Sequence, residues 1–192
     1  MSQAAVEKRT RQEVKLAGFG GQGIALMGSI VGKSAQLFAG RNAVFTQSYG
    51  PESRGGASSA DVVIDENEID YPYTEKGKLD YFVVMSKEAY LKFVNYTRKG
   101  GKIFYDPNLV PLDDQAMALT DKIYAIPATA LAEQLGYRIV ANIVMLGFFA
   151  KHTGEELIPV ESLKQAILAS VPARFKELNE KAFQVGYDYQ PS

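Results

Sequence analysis

The sequence predicts an α/β fold of three layers, in which helices cover both faces of a mostly parallel, or mixed, β-sheet. Three observations lead to this prediction. Apolar runs of strand length alternate with segments whose apolar residues recur at helical spacing. The chain has 192 residues, 46% of them hydrophobic, which suits one sizeable core and is short for two. The last third carries only helical patterns, so we expect the domain to end in helices.

The expected organisation is a short tail followed by a single domain. Residues 1–12 are polar and mixed in charge, which predicts a flexible N-terminal tail, and residues 13–192 should form one domain. The sheet is built from apolar runs bounded by turn residues. The predicted strands are residues 14–17, 43–45, 57–64, 81–85, 102–105 and 122–126.

The first predicted elements are a strand, a glycine turn and a helix. Strand 14–17 is followed by apolar residues at helical spacing, namely Ile24, Met27, Val31, Ala35 and Phe38. Gly40 is a suitable C-cap, and strand 43–45 comes next. Residues 46–56 contain turn residues without an apolar period, which predicts a long loop before strand 57–64. Residues 69–73 can then return antiparallel, which would make the sheet mixed.

The second half continues the alternation of strands and helices. After strand 81–85, Ser86 is a candidate N-cap for a helix that extends to residue 96, and the pair Gly100-Gly101 should stop it. Two strands follow, each ended by a proline-containing turn. The predicted C-terminal helices are residues 129–135, 142–152, 159–169 and 173–183.

Composition excludes several classes of function. A net charge of −1 and a pI near 5.9 argue against a nucleic-acid binder. The chain has no cysteine, so it carries no disulfide and no cysteine-ligated cluster, and its single histidine rules out a His-His-carboxylate metal site. No run is long enough to span a membrane, and the N-terminus lacks the apolar core of a signal peptide. We therefore expect a cytoplasmic protein that binds no metal.

The stretch Gly18 to Gly23 (GFGGQG) fits the G-x-G-x-x-G dinucleotide fingerprint. Such a turn presents backbone N–H groups at a helix N-terminus, where a phosphate is favoured. The acid that would hold a ribose is missing, because no Asp or Glu occurs between Val14 and Pro51. An NADP site that uses Arg41 stays open. The candidate anion-binding residues of this turn are Gly20, Gly21, Gln22 and Gly23.

Basic residues and a second loop strengthen the prediction of an anion site. Only Glu52 opposes the cations between residues 14 and 56, which are Lys15, Lys33, Arg41 and Arg54. In the loop SYGPESRGG, Arg54 offers a bidentate fork beside the bare backbone of two glycines, and Tyr49 offers a flat ring and a hydroxyl. The candidate residues of this loop are Ser48, Tyr49, Arg54 and Gly55.

Together these segments resemble a known family. GFGGQG with its helix, SYGPESRGG, VVIDENEID, LDYFVVMS and the late ANIVMLG, in this order, resemble the gamma subunit of 2-oxoacid:ferredoxin oxidoreductases over residues 14–183. The resemblance implies a heteromeric enzyme that oxidatively decarboxylates a 2-oxoacid to an acyl-CoA and reduces ferredoxin. The substrate we expect is 2-oxoglutarate, ahead of pyruvate, branched-chain 2-oxoacids or indolepyruvate.

The resemblance also implies a division of labour among subunits. Thiamine diphosphate and the iron–sulfur clusters are expected on partner alpha, beta and ferredoxin-like subunits, and this chain should hold no cofactor alone and supply no catalytic residue. We expect residues 20–23 and 48–54 to form one surface that faces the catalytic subunits and holds the phosphates of coenzyme A. Two alternatives stay open, an NADP-binding Rossmann-type oxidoreductase and a purely structural adaptor. A homodimer of the isolated chain, through surfaces that partners normally cover, also stays open.

The remaining candidates have structural interpretations. His152 ends a helix, where a cation complements the helix dipole. Asn142 is a candidate N-cap. Asp113 and Asp114 lie in a predicted turn and should be solvated.

Overall fold

A computed structural model of the chain describes residues 10–49 and 56–191. In that part of the chain, six strands form one sheet in the order β2-β3-β1-β4-β5-β6. The strands are β1 (Gln12–Phe19), β2 (Asn42–Tyr49), β3 (Ala57–Asp65), β4 (Leu79–Val84), β5 (Thr97–Tyr105) and β6 (Ile123–Ala125).

Helices cover both faces of the sheet, which confirms the three-layer prediction. The helices of the described residues are α1 (Ile24–Lys33), α2 (Lys87–Phe93), α3 (Asp114–Leu119), α4 (Ala128–Gln134), α5 (Ala141–Thr153), α6 (Val160–Ser170) and α7 (Lys176–Asp188). Helices α2 and α3 pack on one face, whereas α1 and α4 to α7 pack on the other. Helix α1 continues as a π-helix over Ser34–Phe38. Among the described residues, no helix is long and apolar enough to cross a membrane.

The sheet is mixed because one strand opposes the others. Strand β3 is antiparallel to both β1 and β2, whereas β1, β4, β5 and β6 are parallel neighbours. The predicted antiparallel return at residues 69–73 is wrong. Those residues form no strand, since the carbonyls of Tyr71 and Tyr73 accept hydrogen bonds from the Arg11 guanidinium at 2.9 and 3.0 Å.

Strands β2 and β5 extend furthest beyond their predicted bounds. Strand β2 continues to Tyr49, so residues 46–49 are strand and not loop. Strand β5 runs through the glycine pair that was expected to stop the preceding helix. A Cβ on Gly101 would lie 2.9 Å from the Leu79 carbonyl oxygen, so this glycine permits close approach of β4 where the register shifts.

The start of helix α2 matches its predicted signal. The Ser86 side chain accepts from the Ala89 N–H at 3.2 Å and caps α2 as expected.

Helix α3 is an element that the sequence pattern missed. Asp113 caps it by accepting from the Gln115 N–H at 3.1 Å, and it also accepts a hydrogen bond from the Tyr90 hydroxyl. Asp113 and Asp114 are exposed, as expected, but they begin a helix and do not lie in a turn.

The larger part of the core lies under the C-terminal helices. Helix α5 is buried along almost its whole length, as expected of a helix that is apolar on all sides. It crosses α7 at two glycines. A Cβ on Gly147 would lie 2.0 Å from the Phe183 carbonyl oxygen, and one on Gly186 would lie 1.8 Å from that of Val144. The two backbones therefore touch, and α5 is fixed relative to α7.

The predicted N-terminal tail falls mostly outside the described residues. Residues 1–9 belong to that undescribed part, and β1 begins at Gln12, inside the range assigned to the tail. The flexibility of the tail stays a prediction.

Candidate functional site

The glycine turn lies at the carboxyl edge of the parallel strands. It leaves β1 and enters α1, as the sequence predicted. Strand β1 is adjacent to β4, and the helices that follow these two strands pack on opposite faces of the sheet. This is the switch point of an α/β sheet, where a crevice opens and ligands bind.

Each glycine of the turn has a different role. Gly21 and Gly23 have φ angles of 97° and 74°, which only glycine adopts readily. A Cβ on Gly18 would lie 2.4 Å from Gln22 Oε1, so the absent side chain makes room for that carboxamide. Gly20 differs from them. Its φ is not positive, and a Cβ there would meet no atom within 4 Å, so the fold of the described chain does not require a glycine.

Gln22 ties the turn to the neighbouring strand. Its Oε1 accepts from the Phe19 N–H at 2.6 Å, and its Nε2 donates to the Met85 carbonyl at 2.8 Å. The Met85 N–H in turn donates to the Ala17 carbonyl at 2.8 Å. Both ends of the carboxamide are thus engaged within the chain. Gln22, a predicted ligand, holds the turn in shape.

The N-terminus of α1 has no side-chain cap. Gly23 occupies the N-cap position, no side chain accepts a hydrogen bond there, and the first turn contains no acid. The first N–H groups of the helix are therefore available to an anion. A Cβ on Gly23 would lie 2.3 Å from Asn142 Nδ2, so Asn142 packs directly against the turn.

The prediction that Asn142 caps α5 is wrong. Helix α5 begins at Ala141 after Val140, and no side chain caps it. Asn142 lies in the first turn, is 4% exposed, and its Oδ1 accepts from the Ile143 N–H at 2.9 Å. Because α5 starts one residue earlier, the Asn142 side chain points toward the glycine turn.

The second loop begins at the same edge of the sheet. Tyr49 of β2 pairs with Ser58 of β3, and Ser58 pairs with Gly18 of β1. Two strand spacings place the backbones of Tyr49 and Gly18 roughly 10 Å apart. Ser48 is exposed. Arg54 and Gly55 lie outside the described residues, and their role stays a prediction.

Three of the predicted cations lie away from the turn. Lys15 is 3% exposed, forms an ion pair with Asp61, and lies over the Phe93 ring at 4.8 Å. Burial lowers the pKa of Lys15, although Asp61 opposes that shift. Lys33 ends α1, roughly 15 Å from the turn along the helix, and donates to Ser170 Oγ at 3.3 Å.

Arg41 lies at the opposite edge of the sheet. It precedes β2, and its guanidinium donates to the Gln12 side chain at 2.9 Å and to the Leu157 carbonyl at 2.8 Å. A 2′-phosphate reader would have to lie at the carboxyl end of the second strand. The NADP alternative therefore loses the residue on which it depended.

A cation that the sequence pattern missed does reach the crevice. Arg138 lines a cavity of 220 Å³ together with Gly21, Gln22, Met85 and Thr129. Its guanidinium is exposed and lies 3.3 Å from the Glu133 carboxylate, a surface pair that contributes little to stability. Arg138 is distant in sequence from the turn, so no spacing signal linked the two.

A second groove of 310 Å³ adjoins this cavity, and Gly21 and Ile139 line both. Gly21, Gly23 and Leu26 form one wall, while Asn142 and Phe175 contribute to the others. None of its lining residues carries a charge. The turn thus borders both a cavity that contains an arginine and an uncharged groove.

His152 lies in an aromatic cluster and does not cap a helix as a cation. Its ring centroid is 4.4 Å from that of Phe148 and 4.5 Å from that of Tyr124, and its Nε2 is buried without a hydrogen-bond partner. Burial lowers its pKa, with Lys151 and Lys102 adding to the effect. Lys102 donates to the His152 carbonyl at 2.8 Å and supplies the positive charge at this helix end. Within the described residues, no three His, Cys, Asp or Glu side chains are grouped to hold a metal.

Known proteins resemble the chain along nearly its full length. The family model described as pyruvate ferredoxin/flavodoxin oxidoreductase matches residues 13–189. The 2-oxoglutarate synthase subunit KorC of Methanothermobacter thermautotrophicus is 44% identical over 180 residues, which cover 92% of this chain and 93% of KorC. The ketoisovalerate oxidoreductase subunit VorA of the same organism is 30% identical over 92% of this chain but only 36% of its own length.

Solved structures share the fold. The keto/oxoacid ferredoxin oxidoreductase gamma subunit of Geobacter sulfurreducens has a TM-score of 0.76 at 34% identity, covering 92% of this chain and 96% of that one. A 2-oxoglutarate:ferredoxin oxidoreductase chain of Magnetococcus marinus has a TM-score of 0.77 at 20% identity, covering 93% of this chain and 30% of that one. The chain therefore belongs to the pyruvate ferredoxin/flavodoxin oxidoreductase family, as a gamma-type subunit of a 2-oxoacid:ferredoxin oxidoreductase.

Proposed function

We propose that this chain is the gamma subunit of a 2-oxoglutarate:ferredoxin oxidoreductase, a cytoplasmic enzyme that converts the 2-oxoacid to an acyl-CoA and reduces ferredoxin. The observation that carries this proposal is the 44% identity to KorC over nearly the full length of both chains. Alpha, beta and ferredoxin-like partners would hold thiamine diphosphate and the clusters, in keeping with a chain that has no cysteine.

The part of this chain in the enzyme is a surface at the carboxyl edge of the sheet. The surface comprises the glycine turn (residues 20–23) and residues 48–54, and it would face the catalytic subunits and hold the phosphates of coenzyme A. Support comes from the uncapped N-terminus of α1 and from Arg138 in the adjoining cavity. The Magnetococcus relative was solved with coenzyme A bound.

Gly20 provides the sharpest test of this surface. Because its Cβ would meet nothing within 4 Å and its φ is not positive, Gly20→Ala should leave the thermal stability of the chain unchanged. A methyl group there would obstruct whatever approaches the turn from outside. In the enzyme assembled from all its subunits, we expect Gly20→Ala to raise the KM for coenzyme A.

Arg54 and Arg138 test the charge of the same surface. Loss of a charge-assisted hydrogen bond to phosphate costs about 1.5–3 kcal/mol, so each Arg→Ala variant should weaken coenzyme A binding at least about tenfold. Lys122→Ala is the control, since Lys122 is an exposed cation at the opposite edge of the sheet. Wild-type coenzyme A affinity in intact Gly20 and arginine variants would overturn the coenzyme A role and favour the structural adaptor. Loss of assembly would instead assign these residues to a subunit interface.

A further inference from the structure

The uncharged groove beside the glycine turn contains two buried carboxamides. We call it the amide groove; its walls are Leu26, Tyr137, Ile139, Asn142, Phe175 and Asn179. Asn142 and Asn179 are 4% and 6% exposed. The two residues come from α5 and α7, whose positions are fixed by the glycine contacts between these helices.

In each carboxamide, one of the two polar atoms forms a hydrogen bond within the described chain and the other does not. Asn142 Oδ1 accepts from the Ile143 N–H at 2.9 Å, which leaves Nδ2 without a partner among the described residues. Asn179 Nδ2 donates to the Phe175 carbonyl at 2.8 Å, which leaves its Oδ1 without one in the same part of the chain. The groove thus offers one free donor and one free acceptor. Both atoms are open to the groove, so a ligand that presents one acceptor and one donor can pair with them in place of water.

The rim of the groove is apolar and exposed. Ile139 is 78% exposed, Tyr137 56% and Phe175 41%. Monomeric proteins seldom expose a contiguous apolar patch of this kind, and aromatic residues are enriched where proteins meet.

An extended peptide matches both features. Its backbone offers a carbonyl for Asn142 Nδ2 and an N–H for Asn179 Oδ1, while an apolar side chain fills the groove. The groove has no charge to pair with an anion, which argues against phosphate. In VorA and in the Magnetococcus chain, the region that matches this protein is about a third of a longer chain, so in those proteins it is joined to further polypeptide.

We propose that the amide groove receives an extended, uncharged segment of another subunit of the same oxidoreductase. Since the partner is a subunit of that enzyme, the proposal rests on the proposed function. The groove adjoins the proposed coenzyme A surface, because Gly21 and Gly23 line it.

Two substitutions test the groove in the enzyme co-expressed with all its subunits. Tyr137→Asp and Phe175→Asp each place a charge on a rim side chain that the free chain leaves exposed, and neither residue lines the cavity of Arg138. Both variants should therefore keep the thermal stability of the isolated chain. We expect each to weaken association with the purified partner subunits about thirty-fold, the typical size of an interface hot spot. Met117→Asp is the matched control, because Met117 is 60% exposed and lies on α3, on the opposite face of the sheet.

The outcomes separate this proposal from the coenzyme A role. Weakened assembly, with an unchanged KM for coenzyme A in the complex that still forms, supports a subunit segment in the groove. Normal assembly with a raised KM for coenzyme A would overturn it and give the groove to that ligand. Dissociation of a homodimer of the isolated chain, with assembly of the enzyme intact, would overturn it in favour of a second copy.

Discussion

A methyl group on Gly23 should disturb the glycine turn in two separable ways. The left-handed φ of 74° costs about 1–2 kcal/mol for a residue with a side chain. The new Cβ would also lie 2.3 Å from Asn142 Nδ2, an overpacked contact that typically costs about 1–3 kcal/mol. We therefore expect Gly23→Ala to lower the free energy of unfolding by about 2–5 kcal/mol.

The two contributions can be separated by a double-mutant cycle. In an Asn142→Ala background the clash is gone and only the backbone strain remains, so Gly23→Ala should cost about 1–2 kcal/mol there. The assay is urea unfolding of the isolated chain at 25 °C, followed by circular dichroism. An equal cost in both backgrounds, within about 0.5 kcal/mol, would refute the packing of Asn142 against the turn.

Three further predictions concern the core. Asp61→Asn should lower the free energy of unfolding by about 3 kcal/mol, because it leaves the Lys15 ammonium buried without its counter-charge. Adding Lys15→Met should restore part of that stability. If the costs of the two substitutions are additive in chemical unfolding, this reasoning is contradicted. In the folded chain the pKa of His152 lies below its usual 6.5, so as the pH falls the imidazole is protonated in the unfolded state before it is protonated in the folded state. The free energy of unfolding should therefore decrease below pH 6.5 in the wild type, and decrease less in His152→Phe. Parallel pH profiles of the two proteins in denaturant unfolding would exclude that linkage. Gly186→Ala should lower the free energy of unfolding by about 2 kcal/mol, because the clash with the Val144 carbonyl oxygen outweighs a gain of about 1 kcal/mol in helix propensity. A raised melting temperature would show that α5 and α7 do not touch there.

Local chemistry made the glycine turn predictable. Positive φ angles at Gly21 and Gly23 are a property of a few adjacent residues, and the apolar spacing of α1 follows directly. Ser86 likewise signalled the start of α2 through its own side chain. Signals of this kind require no knowledge of what packs against them.

Glycines within strands were harder to interpret. Gly101 resembles a helix stop in the sequence, but its role depends on β4, which approaches it in the sheet. The segment 69–73 has a strand-like composition, yet Arg11 takes up two of its carbonyls. Both errors have the same origin, since the deciding partner is distant in the chain.

The positions of the cations also depend on contacts between distant parts of the chain. Lys15 is close to the turn in sequence, but the alternation of side chains along β1 directs it into the core beside Asp61. Arg41 is separated from the turn by the length of the sheet. Arg138 reaches the crevice because the start of α5 is packed beside α1, which no pattern in the sequence states.

The pairing of β2 with β3 has a consequence for how such subunits can diversify. These strands are adjacent and antiparallel, and Tyr49 pairs with Ser58, so both ends of the connection between them are anchored by ladder hydrogen bonds. Its length and sequence can therefore change without moving the sheet. We therefore expect relatives with other substrates or partners to differ in the connection between β2 and β3 while they keep the same scaffold.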